Sequence, residues 1–203
     1  MKYAIIGSGH VGTALARAFA HHNIEVAIAN TRGPESIAAL AKELGRSIVP
    51  QSLQDAHEAE MIFLAVPFPA HKEVAKQLKH WNGKIVVDVT NTLDLKPKER
   101  EDQLGEQLSS EVVSKAFVGA HVVKAFNHLT AKQLGTNPHV KGQEQVVFVS
   151  SDHSDASAAV AAVTVQLGFA PIELRRLDQG GVPLHTVDGK PGALLSQNLV
   201  KLH

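Results

Sequence analysis

The chain is 203 residues long, which corresponds to one domain or to one domain with a small appendage. With 44% apolar and 20% charged residues, its composition is ordinary for a globular protein and excludes a disordered or collagen-like chain. Twenty Lys and Arg balance twenty Asp and Glu, so no overall positive charge favours binding to nucleic acid or to an anionic membrane.

Short apolar runs alternate with segments of helical periodicity, a pattern typical of parallel β/α architecture. Strands are predicted at residues 3–7, 24–29, 60–66, 84–89, 118–125, 144–150 and 171–175. Helices are predicted from about Gly9 onward, over 37–44 with Pro34 in the first turn, over 70–79 and over 154–167. The strands are apolar throughout rather than alternating, so we expect a sheet that is covered on both faces. The sequence therefore predicts a doubly wound, mainly parallel α/β fold.

A glycine-rich loop follows the first predicted strand and opens the first predicted helix. It matches the pattern G-x-G-x-x-G with the residues Gly7-Ser8-Gly9-His10-Val11-Gly12. In this pattern the first glycine permits a tight turn, the second lets the backbone approach a pyrophosphate, and the third lets the helix pack on the strand. The N–H groups at the helix start attract the phosphates. We therefore predict a Rossmann fold that binds a dinucleotide, with His10 either at a phosphate or ribose or contributing mainly its backbone.

The end of the second predicted strand indicates which dinucleotide binds. NAD sites place an acidic residue there to bond the adenosine ribose, whereas NADP sites need a cation for the 2′-phosphate. This chain has Asn30, Thr31 and Arg32 at that point, and Glu25 belongs to the beginning of the strand. Arg32 offers a fork of donors suited to phosphate, while Thr31 and Ser36 offer hydroxyls. The sequence therefore predicts NADP rather than NAD.

Five segments, in their order and spacing, resemble a known family. They are 7–12, 30–36, Ala65-Val66-Pro67, 88–91 and 123–127. They resemble the NADPH-dependent coenzyme F420 reductases and related dinucleotide-binding reductases, and they are similar to the nucleotide-binding domain of the six-transmembrane metalloreductases. The resemblance extends over essentially the whole chain, including residues 178–181 and 198–202.

The resemblance implies a role for each loop. It implies that the pyrophosphate is lined by Ser8, Gly9, His10 and Val11, and that the 2′-phosphate is held by Thr31 and Arg32. The ribose and nicotinamide side is then contacted by Val66 and Pro67, at the end of the strand predicted over 60–66, and Thr90 and Asn91 end the strand predicted over 84–89 on the same edge. The remaining members of the predicted cofactor-binding set are Gly7, Gly12, Asn30, Ser36 and Ala65.

The acceptor side of the site is where the sequence departs from the deazaflavin reductases. Asn127-His128 occupies the place where those enzymes tend to carry a His-Thr pair. Lys124 and Asn127 are candidate catalytic donors and, with His128, candidate substrate contacts. For each residue a structural role is the alternative: a salt-bridged lysine for Lys124, a turn cap for Asn127 and ordinary surface exposure for His128.

Three functions follow from these alternatives. The first is an NADPH-dependent oxidoreductase that passes hydride to a planar co-substrate, either the deazaflavin coenzyme F420 or a flavin; the ring chemistry needs no side-chain acid. The second is a small carbonyl or imine reductase, which benefits from a donor such as Lys124 or Asn127. The third is a non-catalytic sensor that binds NADPH and signals through a partner.

The remaining expectations concern organisation and surroundings. Residues 1–175 are predicted to form the NADP-binding domain, and the Gly/Pro-rich residues 176–203 a tail packed on it. The chain has no cysteine, signal-peptide pattern or apolar run of membrane-spanning length, so we expect a cytoplasmic protein without disulfides or iron–sulfur clusters. Its twelve histidines are scattered, and we predict no metal site. The expected partners are a small redox co-substrate and a second copy in a homodimer, without nucleic acid or membrane.

Overall fold

The computed structural model describes residues 1–77, 80–140, 142–178, 186–187, 190–191 and 199–202. Its strands, in chain order, are β1 (Tyr3–Ile6), β2 (Val26–Ala29), β3 (Ile48–Pro50), β4 (Met61–Leu64), β5 (Ile85–Asp88), β6 (His121–Ala125), β7 (His139–Val140), β8 (Gln143–Ser151), β9 (Ala170–Glu173), β10 (Thr186–Val187), β11 (Lys190–Pro191) and β12 (Val200–Leu202). Its α-helices are α1 (His10–His21), α2 (Ala38–Leu44), α3 (Leu53–Ala56), α4 (His71–Ala75), α5 (Pro97–Leu104), α6 (Ser109–Ala116), α7 (Ala131–Leu134) and α8 (Ser154–Gln166). Short 3₁₀ turns at Pro34–Ile37 and Phe68–Ala70 lead into α2 and α4.

Ten of these strands form one sheet. Its order is β12-β8-β6-β5-β4-β1-β2-β3, and β7 and β9 also pair with β8. Six neighbouring strands of the sheet, β3, β2, β1, β4, β5 and β6, run parallel to one another. Strand β8 runs antiparallel to β6. The predicted mainly parallel, doubly wound α/β fold is confirmed. All carboxyl ends of the parallel strands meet at one edge, which is where such sheets bind ligands.

The sheet is buried between two apolar layers, as continuously apolar strands require. One layer packs Leu15 and Phe19 of α1 and Val160 of α8 against the sheet. The other contains Val74 of α4 and Val113 of α6. Every residue of β4 and β5 is buried, so the centre of the sheet is enclosed on both faces up to the point where these strands end.

The structure also differs from the sequence-based elements. The short strand β3 and the helices α5 and α6 were not predicted, and the helix expected over 70–79 contains a regular turn over His71–Ala75 only, with residues 78–79 outside the described residues. In the tail, residues 179–185, 188–189, 192–198 and 203 lie outside the described residues. The described end of the tail, β12, pairs antiparallel with β8. No helix in the described part of the chain is long and apolar enough to cross a membrane.

Candidate nucleotide-binding site

Two glycines of the predicted phosphate loop are required by the packing of the protein itself. Gly7 has a φ of +111°, and a Cβ at this position would collide with the backbone carbonyl of Ala65 on the neighbouring strand. A Cβ on Gly12 would collide with the carbonyl of Gly7, because α1 crosses close over the end of β1. Both positions therefore exclude any larger residue, whether or not a ligand binds.

Gly9 is different, because a Cβ placed there meets no atom within 4 Å. Its backbone is extended (φ −78°, ψ −166°), a conformation that every residue adopts without strain. Gly9 is the N-cap of α1, and its position provides no side-chain cap for the first N–H groups of that helix. The loop thus presents open space directly before unsatisfied donors at the positive end of the helix dipole, which is the arrangement that binds phosphate.

A cleft of about 500 Å³ lies along the carboxyl ends of β1, β2 and β4. The structure brings nine of the predicted cofactor residues together in its lining: Gly7, Ser8, Gly9, Asn30, Thr31, Arg32, Ala65, Val66 and Pro67. The exposed His10 instead faces a neighbouring groove between α1 and α7, and Val11 packs against the core. Gly12 lies beneath the loop.

A polar network organises the end of β2. Asn30 Nδ2 donates to Ser8 Oγ (2.6 Å) and to Ser36 Oγ (2.9 Å), and Asn30 Oδ1 accepts from the backbone N–H of Arg32 (2.7 Å). The Arg32 guanidinium is exposed and lies 3.4 Å from Ser8 Oγ. Ser36 thus contacts the glycine-rich loop only indirectly, through Asn30, whereas the guanidinium of Arg32 lines the cleft. No acidic residue stands at positions 30–32, where NAD sites carry the carboxylate that would repel a 2′-phosphate.

The ends of β5 and β6 are joined by a buried ion pair. Lys124 and Asp88 are register partners on the two strands, and Lys124 Nζ donates to Asp88 Oδ2 (2.9 Å) and to the carbonyl of Thr90 (2.6 Å). Asp88 Oδ1 accepts from the N–H (3.0 Å) and hydroxyl (2.6 Å) of Thr90. The side chains of Lys124 and Asp88 are 1% and 0% exposed. These contacts agree with the salt-bridged alternative for Lys124, and they occupy the hydroxyl of Thr90.

The turn after β6 is held in an unusual backbone conformation. Phe126 has a φ of +64°, a conformation that costs a bulky residue about 1–3 kcal/mol and persists only where the surrounding structure imposes it. Its ring is fully buried beside Phe63 and Phe169. The turn brings the carbonyl of Asn127 to Asn91 Nδ2 (3.0 Å), and Asn91 Oδ1 accepts from two following N–H groups. Asn91 thus bridges the ends of β5 and β6.

His128 points into the core rather than to the surface, so the expectation of ordinary surface exposure was wrong. It is 2% exposed, packs against Phe148, and its Nε2 lies 3.2 Å from the carbonyl of Val146. Burial disfavours the charged imidazolium and lowers the pKa of His128 to about 4, although the bond to Val146 opposes the shift. At neutral pH the ring is therefore uncharged.

Comparison with known proteins agrees with this geometry. Residues 2–92 match a family model described as NADP oxidoreductase, coenzyme F420-dependent. The structure superposes on that of a hypothetical protein from Sinorhizobium meliloti with a TM-score of 0.91 and 40% identity, covering 99% of this chain and 96% of the other. It also superposes on a proposed F420-dependent NADP reductase from Arthrobacter sp. with a TM-score of 0.71 and 26% identity, covering 88% and 86%. Residues 2–92 of the chain are thus similar to the F420-dependent NADP oxidoreductases.

The chain is also similar to the metalloreductase STEAP3 of Rattus norvegicus, with 28% identity over 176 residues. The match covers 87% of this chain but 34% of the relative, so the chain spans about a third of the length of that protein. Both solved neighbours, in contrast, match over most of their own length.

Several residues that shape the candidate site were not predicted from the sequence. Asp88 is the partner of Lys124. Its role could have been predicted, because Asp88 is a carboxylate at the end of an otherwise apolar strand, and a buried carboxylate needs a cation. Phe126 carried no signal, because nothing in its sequence context predicts a left-handed aromatic residue. The cleft also has an apolar wall formed by Leu53, Ala70 and Val74, which no motif marks.

The residues of this edge fit NADP(H), the cofactor named in the description of the matching family model. The open space at Gly9 and the uncapped start of α1 fit a pyrophosphate. The exposed guanidinium of Arg32 fits an additional phosphate on the adenosine ribose. The apolar wall beside them fits a flat ring such as adenine.

Proposed function

We propose that the chain is an NADPH-dependent oxidoreductase that passes hydride between NADP(H) and the ring of coenzyme F420 or a flavin. The observation that carries this choice is the state of the titratable groups at the ends of β5 and β6. Asp88 and Lys124 are buried and bonded to each other, and the pKa of His128 is lowered to about 4. Of these three groups, two are thus bonded to each other in the core of the protein, and His128 is uncharged at neutral pH.

The state of these three groups separates the two kinds of acceptor. When bound, the nicotinamide supplies a hydride, and a conjugated acceptor ring spreads the resulting charge over its own atoms and takes its proton from water. Reduction of an isolated carbonyl or imine instead develops charge on one oxygen or nitrogen, which benefits from a positioned donor. The pairing of Lys124 engages the one charged candidate donor of the carbonyl or imine alternative, which leaves the Asn127 amide, a group that can donate a hydrogen bond but not a proton. The ring acceptor is therefore favoured.

The chain's own contribution is to bind and orient. Gly9 and the start of α1 hold the pyrophosphate, Arg32 holds the 2′-phosphate, and Leu53 and Val74 cover the adenine. Pro67, in the lining of the cleft, and Asn91, which follows β5, would face the nicotinamide at the edge where the parallel strands end. Asn91 and the strained turn at Phe126 keep this edge rigid, so that the reacting carbons can be held about 3–3.5 Å apart.

Steady-state oxidation of NADPH, followed by its loss of absorbance, tests the proposal against a panel of acceptors: oxidised F420, FMN, FAD and several small ketones and cyclic imines. We expect turnover with F420 or a flavin and none with the carbonyls and imines. Turnover confined to carbonyls or imines would overturn the ring-acceptor choice. Tight binding of NADPH without turnover of any acceptor would favour the sensor.

The assembly and location of the protein are part of the same proposal. We propose a cytoplasmic homodimer that exchanges a small redox co-substrate. Light scattering on the purified chain should then give twice the monomer mass of 21.7 kDa. A monomer at micromolar concentration would remove the dimer from the proposal without affecting the choice of acceptor.

A further inference from the structure

Two histidines and an aspartate meet at the edge of the sheet opposite the nucleotide cleft. The antiparallel pairing of β6 with β8 sets Val123 against Ser151, so continuing the register places His121 opposite His153. Ser151 Oγ donates to the carbonyl of Val122 (2.7 Å) and accepts from the N–H of His153 (3.1 Å), which fixes the backbone between the two positions.

The three side chains are close enough to share one ion. The rings of His121 and His153 stack in parallel, with centroids 4.0 Å apart and an interplanar angle of 7°. Asp155, in the first turn of α8, lies with Oδ2 3.6 Å from His121 Nδ1. One ligand atom from each residue lies within 4.8 Å of the others. No other group of three such ligands was found in the described part of the chain.

Binding an ion requires a small rearrangement. Donor atoms on one tetrahedral zinc lie about 3.3 Å apart, at bond lengths of about 2.0–2.1 Å. Imidazole lone pairs lie in the ring planes, so the stacked rings must tilt to point at a common ion. His121 and Asp155 have side chains that are 33% and 74% exposed, which leaves them room to turn. The backbone that carries them does not need to move.

The ligand types select the class of ion. Two imidazoles and one carboxylate suit zinc and its late first-row neighbours, whereas calcium and magnesium prefer sites made of oxygen alone. Three protein ligands leave a fourth position for water at this partly exposed site. We propose that His121, His153 and Asp155 form a binding site for a divalent late transition metal, with Zn²⁺ as the representative ion. The sequence predicted no metal site because the three residues become neighbours only through the pairing of β6 with β8.

The ion would act on the fold rather than on the hydride transfer. His121 begins β6, and the nucleotide edge lies at the other end of this strand, about 13 Å away at the usual rise per residue. A bound ion would tie the start of β6 to the start of α8. This inference is independent of the proposed oxidoreductase activity, because its test uses neither NADPH nor an acceptor.

Calorimetric titration of the metal-free protein with Zn²⁺ alone tests the proposal. We expect saturable binding of one ion per chain. Loss of an outer-shell partner typically weakens metal binding about 10–100-fold, so loss of a ligand in His121→Gln or His153→Gln should weaken it at least about tenfold. Asp155→Asn should also weaken it, and this exposed change leaves the fold intact, as a metal-free thermal melt would verify. The matched control is His139→Gln, which removes a histidine that lies beside a single acid, Glu144.

Each outcome of this titration decides the question. One site that is lost in the two histidine variants, weakened in Asp155→Asn and kept in His139→Gln supports the proposal. Binding that stays unchanged in His121→Gln and Asp155→Asn places the ion elsewhere and overturns it. Lack of saturable binding by the unmodified chain also overturns it.

Discussion

Arg32 is the residue that should separate NADPH from NADH. Its guanidinium lines the cleft and lies 3.4 Å from the hydroxyl of Ser8. No acidic residue follows β2 at positions 30–32. A hydrogen bond to a charged group contributes about 1.5–3 kcal/mol, so Arg32→Ala should weaken NADPH binding by about 10- to 100-fold and leave NADH nearly unchanged. Fluorescence titration with both nucleotides measures the difference. The exposed Arg46, which lies outside the cleft, provides the control variant Arg46→Ala; equal losses for both nucleotides would contradict the 2′-phosphate role.

Gly9 should be needed by the ligand and not by the fold. A side chain at this position meets open space, and the extended backbone accepts a β-branched residue. Gly9→Val should therefore keep the thermal unfolding temperature within a few degrees and abolish NADPH binding, because the new methyl groups occupy the approach to the pyrophosphate. Thermal unfolding with and without NADPH measures both effects. Retained stabilisation by NADPH would show that the loop is a turn and does not hold phosphate.

At this scale, local residues were predictable and partners across the sheet were not. The loop of residues 7–12 and the end of β2 are short segments in which all the residues that matter for binding are adjacent in the sequence. Lys124 shows the limit, since its role depends on Asp88, 36 positions earlier in the chain. The register that pairs them is a property of the whole sheet.

The strands β5 and β6 are held together at their ends by the pair of Asp88 and Lys124. Lys124→Met should destabilise the protein by about 3–5 kcal/mol, because it leaves the Asp88 carboxylate buried without its cation. The double variant Asp88→Asn, Lys124→Met should recover much of the loss. Urea unfolding measures both.

The same variant tests the chemistry. If acceptor rings are reduced without help from Lys124, the folded fraction of Lys124→Met should keep most of its turnover number. A fall of a hundredfold or more with normal NADPH affinity would restore Lys124 as a catalytic donor.

The elements themselves were predicted where their patterns are strong. The strands β1, β4 and β5 follow from their apolar runs, helix α1 from its periodicity, and helix α8 from its Ala/Val-rich composition and its Ser and Asp start. Helix α5 was missed because it is almost wholly polar, with Leu104 as its one buried residue. The antiparallel direction of β8 was also missed, since an apolar strand reads the same in either orientation.

The stability of the whole molecule should fall on mild acidification. Burial is the largest cause that lowers the pKa of four histidines, His22, His57, His71 and His128. For His128 the unfolded chain takes up a proton near pH 6.5, whereas the folded chain does so near 4. The unfolded state therefore binds more protons across this window, and the free energy of unfolding falls as the pH falls through it.

Comparison of His128→Gln with the unmodified chain isolates one of these contributions. His128 should account for about 2 kcal/mol of the difference in unfolding free energy between about pH 7.5 and pH 5. The variant should therefore lose less stability over that interval, as urea unfolding at the two pH values would measure. Equal losses in the two proteins would mean that His128 is protonated in the folded state well above pH 4.

The division of labour among the three loop glycines has an evolutionary consequence. Gly7 and Gly12 are kept by the contacts of β1 and α1, so a descendant that abandoned its nucleotide would still be selected to retain both. Gly9 alone would drift, since nothing in the folded chain opposes a side chain there. Among duplicated genes of this lineage, the middle glycine is therefore the position that distinguishes proteins that still bind the nucleotide from proteins that have lost this binding, even where the rest of the motif is intact.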